Sequence, residues 1–145
     1  MPGVGIGVIL LNDNMQVLLL LRNDDKDIAD SDMRLEGTWT LPSGKIWENE
    51  KIEVAAIRKV KEETNLDIND IDVVSIADDI NEYAHFVTIG LIANEIKGKI
   101  ELQSSGEHVS YKYFDLKNLP KNTCLPTIKI INNYLDKVIY RNEEI

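Results

Sequence analysis

The stretch KIEVAAIRKVKEET, residues 51–64, is a helical pattern set between two β-rich halves, and that placement limits the fold more than any other feature. Ala56, Ile57, Val60 and Thr64 recur at three- and four-residue spacing as an inward stripe, while the opposite face is charged. Lys51 is a poor first residue for a helix, so Asn49 or Glu50 is the expected cap. Before the helix, apolar runs at 4–11 and 17–21 flank Asn12, Asp13 and Asn14, the pattern of two antiparallel strands joined by a tight turn. After it come IDVVSIA at 71–77, HFVTIGLIA at 85–93, KIEL at 99–102 and VSYKYFDL at 109–116, all strand-like. A second helix is expected from about Thr127 to Arg141, with Ile128, Ile131, Leu135 and Val138 on one side. Hairpins outnumber crossover units, so the order predicts a mixed α/β (α+β) sandwich and not a doubly wound parallel sheet.

A chain of 145 residues suits one domain, here taken as 1–145, able to bury about two-thirds of its unfolded surface. Hydrophobic residues at 43% and charged residues at 28% are globular values. The one cysteine, Cys124, excludes an intramolecular disulfide framework, and the two histidines, His85 and His108, offer no zinc-site spacing, which points to a cytoplasmic setting. The N-terminal run VGIGVILL is broken by the turn residues at 12–14 and lacks signal-peptide features, so no membrane span is expected. A net charge of −9 without a basic stripe argues against nucleic acid, but a bound cation can reverse the local sign for a small anionic ligand.

Arg22 to Gly37, RNDDKDIADSDMRLEG, carries five aspartates. It reads as a solvated connection, with an accessory cation site or a substrate lid as the alternative. Then comes WTLPSGKIWENE, where Pro42 and Gly44 punctuate a short strand and a turn before the helix. Within the helix, Glu62 and Glu63 are adjacent carboxylates near Arg58 and Lys59, which as ordinary surface ion pairs would each contribute a few tenths of a kcal/mol.

The positions form an array: Gly44, five residues, Glu50, seven residues, Arg58-Lys59-Val60, one residue, Glu62-Glu63, one residue, Asn65-Leu66. This resembles the signature of the Nudix hydrolase superfamily, G-x5-E-x7-R-E-U-x-E-E-x-G-U, with every spacing in agreement. The resemblance implies a Nudix-type α/β/α sandwich with a mixed sheet and residues 51–64 as the catalytic helix. It also implies cleavage of a nucleoside diphosphate linked to another group by attack of metal-polarised water on phosphorus. Glu62 and Glu63 would hold magnesium, or manganese in its place, with the carbonyl of Ser43 facing the same site. Glu50 and Arg58 would form the ion pair that locks the turn to the helix. PGVGIGV, GTWTLPSGK, HFVTIGL and YKYFDLKNLP are similar to the branch of small nucleoside-triphosphate diphosphatases, often homodimers, which act on dNTPs and modified guanine nucleotides.

Two residues depart from that signature. Asn65 replaces a glycine after the helix, a mild change because asparagine tolerates the left-handed cap. Lys59 replaces a glutamate that the resemblance assigns to metal binding or base catalysis, and losing a general base typically costs about 10² to 10⁴ in rate. Its long side chain can swing outward and so avoid repelling a metal, or it can pair with a substrate phosphate in a protein that binds nucleotide and no longer turns it over. A carboxylate from a later loop would compensate, with Glu107 the first choice and Glu82 and Asp79 behind it. Trp39 and Trp47 offer indole faces to a base, with core or turn packing the leading reading for Trp39 and an exposed or interface role the alternative for Trp47. His85, opening a strand, reads as structural.

Overall fold

The computed structural model describes residues 1–142. Seven strands and two helices follow in the order β1 (Gly3–Ile9), β2 (Gln16–Arg22), β3 (Trp39–Thr40), β4 (Ser43–Lys45), α1 (Ile52–Thr64), β5 (Asp67–Ile80), β6 (His85–Lys97), β7 (His108–Asp115) and α2 (Leu125–Asp136). A four-stranded sheet has the order β4-β1-β6-β5, and a three-stranded one the order β3-β2-β7. β1 runs parallel to β6 and antiparallel to β4, so the larger sheet is mixed, as expected. No helix among the described residues is long and apolar enough to cross a membrane.

The expected hairpin of the first two strands is corrected. β1 and β2 enter different sheets and touch only near the turn, through a bridge between Leu11 and Val17 and the Leu18 N–H donating to the Leu10 carbonyl. Both strands are apolar at consecutive positions because each serves two cores. Ile6, Val8, Leu18 and Leu20 face one core with Ala55, Ala56 and Val60 of α1. Ile9, Val17 and Leu19 face the other with Ile130 and Ile131 of α2. Successive strand side chains alternate faces, so one uninterrupted apolar run packs against a helix on each side. α2 approaches the sheet closely over the paired Gly7 and Gly90, where an added Cβ would lie 2.9 and 2.6 Å from Ile130 atoms.

The helices differ from expectation in detail. In α1 the buried positions are Ala55, Ala56, Val60, Glu63 and Thr64, and Ile57 lies at the exposed edge. Neither Asn49 nor Glu50 caps it: Lys51 is the N-cap and makes no side-chain cap bond. Asn65 does terminate it, in the left-handed region at φ 67°, with its N–H donating to the Lys61 carbonyl. α2 begins at Leu125, because proline is tolerated in a first turn, and ends at Asp136, where Lys137 turns left-handed. Its buried side comprises Thr127, Lys129, Ile130, Ile131 and Asn133, and Val138 lies beyond its end and exposed. KIEL at 99–102 is not a strand; the Glu101 N–H instead donates to the carbonyl of Thr64 at the end of α1.

Candidate active site

α1 presents its charged turns to β4 and to the loop preceding β7. Arg58 is the hub. Its Nε and Nη2 donate to the two carboxylate oxygens of Glu50 at 2.7 and 2.9 Å, Nη2 also reaches the Lys45 carbonyl, and Nη1 reaches Glu62 at 3.2 Å. Such a fork matches a carboxylate in geometry as well as charge. These bonds, with the Trp47 N–H, hold the Glu50 carboxyl at a pKa of about 2. The guanidinium stacks 3.6 Å from the centre of the Trp47 ring, so the expected base-stacking residue braces Arg58 while remaining 59% exposed.

Lys59 is the main surprise. Its side chain does not swing outward; it folds across Gly44 and sets its ammonium 3.2 Å from Glu62 Oε2 and 3.6 Å from Glu63 Oε2. A Cβ on residue 44 would lie 2.3 Å from the Lys59 Cε, so the glycine supplies the floor on which the lysine stem rests. Glu63 is buried and accepts the Ser43 N–H at 2.9 Å through its other oxygen. Burial dominates its titration and pushes its pKa up to about 7, against the pull of Lys59 and Ser43.

Opposite α1, Glu107 and His108 complete the cluster. Ligating atoms of Glu63, Glu107 and His108 all lie within 4.8 Å of one another. Glu107 pairs with the buried Arg22 at 3.4 Å, and Arg22 is anchored by the carbonyls of Ala29 and Asp30. His108 is 8% exposed, its Nε2 is buried without a hydrogen-bond partner, and burial beside Arg22 and Lys59 lowers its pKa to about 4. Neither His108 nor Arg22 stood out in the sequence. β7 alternates with Tyr111 and Tyr113 opposite Leu20 and Leu18, which puts even-numbered residues on the other face. A bulge after the Leu21–Ser110 pair makes Arg22 face His108 and so moves the histidine to the face of α1.

The cluster opens on a cleft of about 250 Å³ whose walls include Arg22, Lys45, Lys59, Glu107, Met33 and Phe86. The Arg22–Gly37 connection is thus not merely a solvated loop: Asp30 to Met33 line the cleft, and Asn81 donates to the Met33 carbonyl to tie it down. The other sequence candidates are elsewhere. Trp39 packs edge-on against Phe114, 5.0 Å between ring centres, in the core beneath α2. Asp79 is buried in an ion pair with Lys129 of α2. Glu82 and His85 are exposed around the β5–β6 turn.

A glycine-floored strand, an arginine fork and two carboxylates on consecutive helix positions match one family. The NUDIX domain profile covers residues 1–134. The chain belongs to the Nudix hydrolase family. An ADP-ribose pyrophosphatase of Methanocaldococcus jannaschii is 30% identical over 136 residues, spanning 92% of this chain and 73% of that protein. Nudix hydrolase 5 of Arabidopsis thaliana is 36% identical over half of this chain, which covers 22% of the plant protein. Among solved structures, a MutT Nudix hydrolase from Burkholderia pseudomallei superposes with a TM-score of 0.79 at 24% identity, covering 92% of this chain and 98% of that one. The Nudix domain of Shewanella oneidensis NrtR, solved with ADP-ribose, gives 0.72 at 19% identity and covers 95% and 89%. The Nudix array of this chain therefore differs at Lys59 in a way the geometry makes concrete: an ammonium lies between the two carboxylates that remain. The donors present still suit a divalent cation, since two carboxylates and a buried imidazole with a free nitrogen converge from opposite walls.

Proposed function

We propose that this Nudix hydrolase cleaves the phosphoanhydride of a nucleoside triphosphate, natural or modified, to a monophosphate and diphosphate. The observation that supports this reading is the convergence of Glu107 with three cations, Arg22, Lys45 and Lys59, on one cleft in a chain of net charge −9, with the buried Glu63 within ligating reach of Glu107. Glu63 and Glu107 would hold a divalent cation, with Glu62 at the exposed rim and Ser43 at the edge of β4. A bound cation of this kind neutralises phosphate charge and lowers the pKa of a coordinated water. Lys59, which borders the cleft beside Glu62 and Glu63, would offer its ammonium to a phosphate oxygen as a compact point charge. Glu50 and Arg58 contact no substrate; they fix the turn and the first carboxylate by the fork described above.

A second reading, ADP-ribose as substrate, is favoured by the 30% identical archaeal relative that carries that name. Both are separated by one assay. The purified protein is incubated with magnesium or manganese and a panel of dNTPs, modified nucleotides, ADP-ribose and dinucleoside polyphosphates, with chromatography of products and parallel calorimetry. Diphosphate release from a triphosphate supports the first reading, and AMP with ribose phosphate from ADP-ribose supports the second. Tight binding with no turnover of any member refutes both and leaves a nucleotide-binding protein in which Lys59 is the phosphate anchor.

A further inference from the structure

We infer that His108 is a cation ligand, and that with Glu63 and Glu107 it makes a mixed nitrogen and oxygen site favouring a first-row transition-metal dication over magnesium. This rests on the proposed function only in placing Glu63 and Glu107 at the cation.

Three atoms carry the inference. The Nε2 of His108, on a residue 8% exposed, has no hydrogen-bond partner. A buried imidazole nitrogen left unpaired is uncommon unless something absent from the protein chain itself satisfies it. The second atom is Glu63 Oε2, whose nearest cation, Lys59 Nζ, is at 3.6 Å, while Oε1 is already engaged by the Ser43 N–H. The third is Glu107 Oε2, which has no hydrogen-bond partner among the described residues, since Arg22 meets only Oε1. Ligating atoms of all three residues fall within 4.8 Å of one another.

The donor set decides the metal. Carboxylates alone suit magnesium, calcium and manganese, whereas imidazole suits the later first-row ions, and magnesium gives up its water reluctantly for a cramped site. One imidazole and two carboxylates, beside a cleft lined by Gly44 and by Arg22 on its Ala29 and Asp30 carbonyls, form a compact half-shell. Manganese, cobalt and zinc accept both donor types. The replacement of a glutamate by Lys59 makes the same point from the other side, because it takes one oxygen donor out of the helix and leaves a nitrogen on β7 to fill the shell. The bulge in β7 is the structural device, since without it His108 would point to the far face.

The test needs no turnover. Full-length protein, stripped with chelator, is loaded with Mn²⁺ and studied by pulsed electron paramagnetic resonance. The chain has two histidines, so an imidazole nitrogen signal has two sources, and His85 is exposed on the β5–β6 turn. The expected result is a ¹⁴N coupling to Mn²⁺ that is replaced by ¹⁵N on histidine labelling, survives in His85→Gln and vanishes in His108→Gln. Titration of each metal should show that His108→Gln weakens Mn²⁺ and Co²⁺ by about tenfold or more, as even outer-shell partners do, while Mg²⁺ changes less. Mn²⁺ bound without nitrogen coupling in the unsubstituted, labelled protein overturns the inference and leaves the proposed function standing, whether or not His108→Gln folds. An Mn²⁺ to Mg²⁺ affinity ratio that His108→Gln leaves unchanged also overturns it. Failure of every divalent cation to bind overturns both.

Discussion

Replacing Lys59 with methionine separates the ammonium from the stem that covers Gly44. The stem remains, so the floor contact survives and only the charge is lost. At an effective dielectric near 20, an ion pair at the 3.6 Å separation of Lys59 and Glu63 is worth about 5 kcal/mol before desolvation is counted. Removing one partner of a buried pair costs roughly 3–5 kcal/mol because the other charge is stranded. Glu63 escapes part of that by taking up a proton, since its pKa already stands at about 7. The contact with Glu62, whose side chain is 38% exposed, adds little. The metal-free variant should therefore lose about 2 kcal/mol at pH 7. The deficit shrinks when cation is present, because the site has lost the unit of positive charge that competed with the cation. Mn²⁺ affinity should rise at least about tenfold, and at saturating Mn²⁺ a tenfold gain returns about 1.4 kcal/mol of stability relative to the unsubstituted protein. Urea denaturation in chelator and in Mn²⁺, with calorimetric titration, reads both quantities. Lys59→Glu should strengthen cation binding further and raise hydrolysis. Unchanged stability in chelator together with unchanged Mn²⁺ affinity would refute the assignment of Lys59 as the resident counter-ion of Glu63.

Three further outcomes follow from the same geometry. Gly44→Ala should displace the Lys59 stem and so mimic Lys59→Met in cation affinity, at a stability cost of about 1–3 kcal/mol; additive effects in the double variant would show that the two residues act separately. Glu63→Gln should lower turnover by at least about an order of magnitude, and it should also expose the titration of His108. Glu63, raised from 4.5 to about 7, contributes stability that is full below pH 4.5 and lost as pH rises to 7. His108, lowered from 6.5 to about 4, contributes stability present above pH 6.5 and lost as pH falls to 4. The two slopes oppose each other between pH 4.5 and 6.5, so only the variant should show the acid loss of His108, about 3 kcal/mol at 1.36 kcal/mol per pKa unit; denaturation midpoints across that range in chelator give the comparison, and matching wild-type and variant profiles contradict it. Trp39→Leu should cost about 2 kcal/mol through the lost Phe114 contact, while a raised KM at unchanged stability would return Trp39 to substrate contact.

Much of the site was visible in one line of sequence because a helix fixes distances by counting. Residues 58, 59, 62 and 63 must share two turns, and Glu50 is eight residues before Arg58, so the fork between them needs only the turn at Glu48 and Asn49. Glu107 was reachable as an acid just before a strand. Strand pairing was harder to see, since the apolar runs of β1 and β2 suit a hairpin as well as two separate sheets, and only packing against two helices separates those choices. Trp39 was harder to place between core packing and base stacking for a related reason. An aromatic residue beside a motif carries no sign of which face it will take, and β3 turns it toward Phe114.

By itself, then, the order of residues determined the family, the helix that carries the carboxylates and the absence of one glutamate at position 59, because those depend on spacing along a single element. The tertiary structure decided what replaces that glutamate. It folded Lys59 inward over a glycine, buried Glu63 until its pKa rose to about 7, and used a one-residue bulge to turn His108 toward the same point. Each of these depends on contacts between elements distant in sequence, where burial and sheet register, not spacing, set the chemistry.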